Sequence, residues 1–251
     1  MQEVTRDVPA RTEGELRLHA AIRALLSPGI WFVLTAQIAL LFVLQWRAPA
    51  DATTLVSTLA VFLTATSLML FFYLQAGAFY ALTLRREALT VGEIMRAGQT
   101  VFASFVWLTL KAGLLFALVV NVLVLVALML TGSDFKSLLQ ALSAFFGPAT
   151  GVLAFVFVYW LPYVFVHREF RLLPSLKASL QIALKRLPHS VFLVLLVLIP
   201  AVAIGFIPVE SPVLVDVLTS AATGIMGWIA YIYCTDILRL PQQVAPGKIP
   251  V

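Results

Sequence analysis

One apolar stretch indicates the class of this protein: FASFVWLTLKAGLLFALVVNVLVLVALML, residues 102–130. Apart from Lys111 it carries no ionisable side chain. A helix rises 1.5 Å per residue, so about 20 apolar residues cross the roughly 30 Å hydrocarbon layer of a bilayer. The run is continuous and does not alternate with polar residues, which favours a helix over a strand of a membrane barrel. The stretch therefore predicts a transmembrane helix.

Further runs of the same kind occur along the 251-residue chain, of which 61% is hydrophobic and only 12% charged. The predicted spans are 30–46, 54–84, 102–130, 151–166, 190–207 and 213–238. We expect an all-α fold, a polytopic membrane helix bundle with six transmembrane helices and cytoplasmic amphipathic helices. Its expected divisions are a cytoplasmic N-terminal segment (1–29), a membrane domain (30–240) and a cytoplasmic tail (241–251).

The distribution of basic residues predicts the orientation of the bundle. Most of the 17 lysines and arginines lie on one side of the predicted spans. They are Arg6, Arg11, Arg17, Arg23, Arg85, Arg86, Arg96, Arg168, Arg171, Lys177, Lys185, Arg186, Arg239 and Lys248. The opposite side has only Arg47 and Lys136. By the positive-inside rule both termini are expected in the cytoplasm of a bacterial cell, with the bundle in its inner membrane.

The first apolar run has a competing interpretation as a cleaved signal peptide, because the small residues Ala48-Pro49-Ala50 follow it. A signal peptide usually has a short basic leader. Here 29 residues precede the run, among them the acidic Glu3, Asp7, Glu13 and Glu15. We therefore expect the first span to remain in the mature protein.

Three segments on the basic side have apolar residues at helical spacing: 11–29, 85–100 and 167–190. The first places Leu18, Ile22, Leu25 and Leu26 on one stripe. The similarity of the three predicts a threefold repeat of one interfacial helix and two spans, although any helix lying on a membrane has this pattern. The outer segment 131–146 also predicts a short amphipathic helix.

The candidate site is a layer of polar residues within the membrane. A charge at depth costs about 2.5–3.5 kcal/mol on insertion scales, so Lys111 is either accommodated by snorkelling or used. Gln37, Gln75 and Tyr159 are predicted at a similar depth on three other spans. We expect these four residues to form a lipid- or anion-binding layer. Asp216 is expected to be solvated at the outer interface, and the alternative is a hydrogen bond from Asn121, which is predicted at a similar depth. Small residues at 220 and 224, and at 223 and 227, predict a close helix contact of the last span within the bundle.

Catalysis, cofactors and metals are not expected. The sequence has none of the common hydrolase, phosphate-loop or dinucleotide motifs. Its single cysteine, Cys234, excludes a multi-cysteine metal site, and all three histidines fall in or beside the basic segments. No basic run is long enough to follow the phosphates of a nucleic acid. The expected function is therefore a non-catalytic, lipid-contacting or scaffolding membrane protein, with lipids or other membrane proteins as partners.

The segments GAFYALTLRRE (77–87) and LPSLKASLQIALKRLPHSVFLVLLVLIP (173–200) carry a resemblance to a known domain. In layout, residues 12–240 resemble the membrane domain of some glycerophosphodiester phosphodiesterases and of stand-alone six-span bacterial proteins. The resemblance is specific around 77–87 and 175–187. It implies a fold. No active-site residue is carried over, because the catalytic barrel of those enzymes has no counterpart in this sequence.

A more distant likeness suggests an alternative function. Six-span permeases of ABC-type exporters also have both termini inside and a cytoplasmic helix between spans 2 and 3. The segment 93–99 would correspond to that helix and would contact a cytoplasmic ATPase. Against this alternative, the loop between spans 5 and 6 is only a few residues long here, whereas those permeases usually carry a longer re-entrant element.

Overall fold

A computed structural model of the chain describes residues 13–45, 53–84, 88–131, 146–206 and 211–239, and every regular element within these ranges is a helix. The helices are α1 (Glu13–Leu25), α2 (Pro28–Gln45), α3 (Thr54–Leu84), α4 (Val91–Thr131), α5 (Phe146–Phe157), α6 (Trp160–His167), α7 (Leu172–Lys185), α8 (Leu187–Gly205) and α9 (Pro212–Arg239). The expected outer helix at 131–146 falls almost wholly outside the described residues, and the first twelve residues and the whole C-terminal tail (241–251) lie outside them too.

Five described helices, α2, α3, α4, α8 and α9, are long and apolar enough to cross a membrane. A sixth is added if Gly151–His167 and Leu172–Lys185, which meet at 118°, are counted together as one bent span. The all-helical fold with several helices of spanning length is thus confirmed. The predicted fourth span, 151–166, is interrupted between Phe157 and Trp160, and the 118° bend follows the span, between His167 and Leu172.

Pro162 explains where the fourth span breaks. A proline has no N–H to donate to the carbonyl four residues earlier, and its ring collides with that carbonyl. The carbonyl belongs to Val158, and the helix ends at Phe157 and begins again at Trp160. The new helix then bonds from the Tyr163 N–H to the Tyr159 carbonyl, at 2.9 Å.

The predicted separation of segment 93–99 from the third span is wrong. Both belong to α4, which runs unbroken for 41 residues, or about 60 Å. Its first turn is stabilised by Glu93, whose carboxylate accepts the N–H of Thr90 at 3.0 Å as in a capping box. Ile94 is fully buried. Segment 93–99 is therefore not a separate helix presented to a partner, and the permease alternative stays a prediction without that support.

Glycine lets α3 and α4 approach closely at the basic end. A Cβ atom on Gly77 would collide with the carbonyl oxygen of Ile94. One turn away, the ring of Tyr73 lies over Gly98, and its hydroxyl donates to the Met95 carbonyl at 2.5 Å. Small residues permit this contact between helix backbones, as is common between membrane helices.

The buried core occupies only the basic half of the bundle. The partly buried ring of Phe79 in α3 packs against this core, with its centroid 4.6 Å from that of Tyr231 and 4.9 Å from that of Trp228 in α9. Phe105 of α4 and Phe165 of α6 pack on the same ring. Tilted and edge-on ring pairs of this kind each contribute about 0.5–1.5 kcal/mol beyond their buried area. The helices of the basic half are thereby joined.

The other half of the bundle exposes its apolar side chains. Residues such as Leu55, Phe62 and Met69 of α3 and Leu118 and Leu125 of α4 are each more than half exposed. A soluble protein rarely exposes a contiguous apolar surface of this extent. Lipid chains can solvate it, because the hydrocarbon layer is as apolar as leucine.

The amphipathic segments on the basic side are helical, as predicted, but the predicted leucine stripe of the first points away from the bundle. In and just after α1 it is exposed, with Leu18 at 63% and Leu26 at 69%, while Ala20 and Ala24 on the opposite face are fully buried. In α7 the small residues Ser175, Ser179 and Ala183 face the bundle. Small side chains thus make much of the contact of these two helices with the bundle, and Leu16 of α1 is buried with them.

Candidate functional site

A cavity of about 310 Å³ lies where α2, α3, α5, α6, α8 and α9 surround the aromatic core. Its lining is mostly apolar and includes Gln37, Gln75, Phe79, Phe157, Leu161, Pro162, Leu193, Val197, Gly227 and Tyr231. The break between α5 and α6 contributes to its wall, since the lining residues continue from Phe157 to Pro162. Binding pockets for small ligands are commonly about 300–1,000 Å³ and mostly apolar with a few polar groups. This cavity has that composition.

Two of the four predicted site residues, Gln37 and Gln75, come together at the cavity. The Gln37 amide nitrogen donates to the hydroxyl of Ser220 at 2.9 Å, which holds α2 against α9. Gly224, one turn further along α9, leaves space for Leu34, because a Cβ atom there would lie 2.5 Å from the Leu34 Cδ2 atom. The predicted close approach at residues 220 and 224 is therefore confirmed and is a contact within the bundle. The Gln75 amide has no hydrogen-bond partner among the described side chains.

The other two predicted residues do not line the cavity. Lys111 is exposed on α4, and its ammonium lies 4.8 Å from the centre of the Trp107 ring on the same helix. Such a cation–π contact contributes about 0.5–1 kcal/mol at an exposed position. Tyr159 is fully buried at the break between α5 and α6. The four residues therefore do not line one cavity, and the polar layer and the binding role predicted for them remain predictions.

Asp216 is exposed, and the alternative hydrogen bond from Asn121 does not form. The Asn121 amide donates to the carbonyl of Ala117 in its own helix at 2.7 Å. The exposed Asp216 accepts instead from the amide of Gln45 in α2, at 2.9 Å. A side chain four residues from a carbonyl in its own helix reaches it without any change in packing, which explains why the local bond forms.

A cluster of ionisable groups at the basic end was missed from the sequence. Asp236 in the last turn of α9 lies 3.6 Å from the Arg23 guanidinium and 3.5 Å from the His19 imidazole, both in α1. Arg23 also donates to the Leu82 carbonyl at the end of α3, at 3.1 Å. Its side chain is only 2% exposed. Arg23 thus joins three helices, and Asp236 supplies the charge opposite it.

The sequence did contain a signal for this cluster. Asp236 lies inside the apolar run predicted as the last span, and an acidic residue in such a run needs a partner. Arg23 lies off the apolar stripe of its helix, on the face that packs against the bundle. Since α1 and α9 are far apart in the chain, their pairing could not be deduced without the fold.

The junction between α1 and α2 is tied to the turn before α4. The Ser27 hydroxyl donates to the Arg23 carbonyl at 2.5 Å and accepts the N–H of Leu89 at 3.1 Å. The Gly29 N–H donates to the Leu89 carbonyl at 2.8 Å. These bonds satisfy buried backbone groups that the ends of α1 and α2 would otherwise leave without partners. They fix the position of α1 relative to the cavity.

Comparisons with known proteins give no relative for this arrangement. No family model matches the chain. No curated protein matches it either, and neither does any solved structure. Within the described ranges, no group of three or more histidine, cysteine, aspartate or glutamate side chains is placed to hold a metal ion. The resemblance to the membrane domain of glycerophosphodiester phosphodiesterases therefore stays a prediction.

Proposed function

We propose that this chain is a multi-pass protein of the bacterial inner membrane that binds lipid within its helix bundle and has no catalytic activity of its own. The observation that carries the proposal is the apolar cavity beside Gln37 and Gln75. A cavity with this lining favours a ligand with a hydrocarbon chain, because burying apolar surface is the main source of binding energy there.

The proposed position in the membrane is supported by the two kinds of surface on the bundle. The half without a buried core exposes aliphatic and aromatic side chains. The basic half carries α1 and α7, whose exposed faces are leucine-rich and whose sequences contain arginine and lysine. Helices of this composition lie at the boundary between headgroups and acyl chains. With the positive-inside rule, this supports a cytoplasmic location for the basic end.

The Gln75 amide gives the cavity a point of polar recognition. A polar group in an apolar environment costs free energy unless it finds a hydrogen-bond partner. The ester carbonyls of a glycerolipid are acceptors, and an amide N–H can donate to them. We expect a lipid chain in the cavity with an ester or similar acceptor within reach of Gln75.

The test is to fill the cavity and count bound lipid. Gly227 lines the cavity, and a Cβ atom there would meet nothing within 4 Å, so Gly227→Leu adds volume without a collision at the Cβ. The matched control is Gly113→Leu, because Gly113 is exposed on α4 and its Cβ would also meet nothing within 4 Å. Both proteins are purified in a mild detergent with added phospholipid and examined by native mass spectrometry.

We expect the Gly113→Leu protein to retain the bound lipid and the Gly227→Leu protein to lose it. The lipid-dependent rise in melting temperature should disappear with it, because a ligand that binds only the folded state stabilises that state. Equal lipid retention by both variants would contradict the proposal. Turnover of an added phospholipid or phosphodiester by the purified protein would contradict its non-catalytic part.

A further inference from the structure

Two buried tyrosine hydroxyls and an arginine lie close together between α1, α6, α8 and α9 at the basic end, and we call this group the tyrosine–arginine cluster. Tyr159 is fully buried and Tyr233 is 1% exposed, and neither hydroxyl has a hydrogen-bond partner among the described residues. The guanidinium of Arg17 lies 5.8 Å from the centre of the Tyr233 ring, and its Nε is also buried without a partner. Buried polar atoms of this kind are rare in folded proteins, and each needs an explanation.

Arg17 is held in place by two aromatic rings. Its guanidinium lies 4.5 Å from the centre of the Phe192 ring in α8 as well as above Tyr233 in α9. No carboxylate pairs with it in the described part of the chain. Stacking of this kind fixes the plane of the guanidinium and leaves its N–H groups available at the edge. That edge is suited to a phosphate, whose oxygens an arginine can bind with two parallel hydrogen bonds.

Arg186 adds a second positive charge beside the tyrosine–arginine cluster. It precedes α8, its side chain is exposed, and it acts electrostatically on the Tyr159 hydroxyl, as does Tyr233. The Ser190 hydroxyl donates to the carbonyls of Ala183 and Arg186, at 2.8 and 3.0 Å, so towards its neighbour Tyr159 it can act only as an acceptor. The cluster therefore offers the guanidinium of Arg17, the exposed guanidinium of Arg186 beside it, and two hydroxyl donors.

The position of the tyrosine–arginine cluster relates it to the cavity. Val158, Leu193 and Ala230 line the cavity on the helical segments that also carry Tyr159, Phe192 and Tyr233. The cluster lies on the basic side of these elements, where a headgroup would be when its chain enters the hydrocarbon layer. Charge, hydroxyl donors and position are those expected of a phosphate site at a membrane interface.

We propose that Arg17, Arg186, Tyr159 and Tyr233 bind the phosphate group of an anionic phospholipid. This inference rests on the lipid-binding function proposed above and names the chemical group that gives the site its selectivity. The tyrosine hydroxyls donate to phosphate oxygens, and the guanidinium of Arg17 neutralises the charge. Free inorganic phosphate has the same chemistry and would be bound by the same groups.

The experiment compares phosphatidylglycerol with diacylglycerol of the same chains, added to the protein in neutral detergent, and inorganic phosphate is added in a third sample. Affinity is measured by native mass spectrometry and by the ligand-dependent rise in melting temperature. The variants are the double substitution Tyr159→Phe/Tyr233→Phe and the single substitution Arg17→Gln. The controls are Tyr163→Phe and Arg171→Gln, since Tyr163 is only partly buried and the Arg171 side chain is 82% exposed.

We expect phosphatidylglycerol to bind at least tenfold more tightly than diacylglycerol, because hydrogen bonds to a charged group are stronger than those between neutral groups. The double tyrosine variant should lose about tenfold or more of that affinity. Without lipid it should melt at the same or a higher temperature, since it removes two unsatisfied buried hydroxyls. If the hydroxyls had only a structural role, their removal would not weaken lipid binding while leaving the lipid-free melting temperature unchanged or higher. Stabilisation by inorganic phosphate alone that depends on Arg17 would support the same site with free phosphate as its ligand.

Equal binding of phosphatidylglycerol and diacylglycerol would overturn the inference. So would a double tyrosine variant with unchanged affinity, because the hydroxyls would then be buried without a ligand. Failure of the proposed lipid-binding function would be seen separately, as unchanged lipid retention in the Gly227→Leu protein. Loss of lipid in that variant together with unchanged selectivity in the tyrosine variant would leave the cavity as a lipid site and remove the phosphate site.

Discussion

The buried ion pair between Arg23 and Asp236 gives the sharpest test of how the basic end is held together. The Arg23 side chain is 2% exposed and that of Asp236 14%, with 3.6 Å between the guanidinium and the carboxylate. Removing one member of a buried pair leaves the other charge without compensation, which costs about 3–5 kcal/mol. We therefore expect Asp236→Asn to destabilise the protein by about 3 kcal/mol or more.

The expected change in melting temperature follows from the size of the chain. For proteins of 150–250 residues, 1 kcal/mol corresponds to about 2–4 °C, so Asp236→Asn should lower the melting temperature by about 6–12 °C. The matched control is Asp216→Asn, which removes an exposed carboxylate that accepts one hydrogen bond from Gln45. It should cost less than about 1 kcal/mol. The measurement is thermal unfolding of the purified protein in detergent.

A double substitution distinguishes the charge from the packing. Arg23→Met/Asp236→Leu removes both charges and keeps apolar volume at the contact. Its melting temperature should therefore be closer to that of the unmodified protein than the melting temperature of Asp236→Asn is. The two single substitutions should then be clearly non-additive, as expected for residues in contact. If Asp236→Asn melts within 2 °C of the Asp216→Asn control, or if the effects of the two positions add, the ion pair does not stabilise the docking of α1.

Three further predictions concern the helix contacts, the orientation and the buried thiol. Gly77→Ala should cost about 1–3 kcal/mol through its collision with α4, whereas Gly113→Ala, in open space, should be neutral or stabilising; equal melting temperatures of the two variants would refute the close contact. A reporter that is active only in the cytoplasm should work after Val251 and fail when inserted at Asp51, and the reverse result at either site would overturn the both-ends-inside orientation. Cys234 is fully buried, so a membrane-permeant maleimide should label it only as the protein unfolds; rapid labelling of the folded protein would contradict this packing.

Much of the fold was predictable because the apolar runs are long and their ends are marked by polar residues. The second span was predicted at 54–84, and α3 has these bounds. Hydrophobicity sets the extent of such a helix and leaves little to long-range contacts. The close contact at Gly224 was predictable for a related reason, since small residues spaced four apart mark helix interfaces.

The parts that the sequence could not supply depend on which surfaces meet. A broken fourth span requires knowledge of how Pro162 is accommodated, because proline kinks one membrane helix and interrupts another. Pro200 lies inside α8 without ending it. The candidate site could not be predicted for the same reason, since the sequence does not say which helix surfaces meet. Gln37 and Gln75 share a cavity, whereas Lys111 has a similar predicted depth but lies on the outer surface of α4.

The pairing of α1 with α9 has a consequence for biosynthesis. The helix that contributes His19 and Arg23 precedes all the other described helices in the chain, and the carboxylate opposite them belongs to the last described helix. Contacts between distant parts of a chain form late, because the intervening residues must be placed first. Until α9 is inserted, Arg23 lacks the countercharge of Asp236, and α1 is held by its hydrogen bonds to the end of α3 and to the turn before α4. A chain that stops short of Asp236 would therefore lack the ion pair that joins its first described helix to its last.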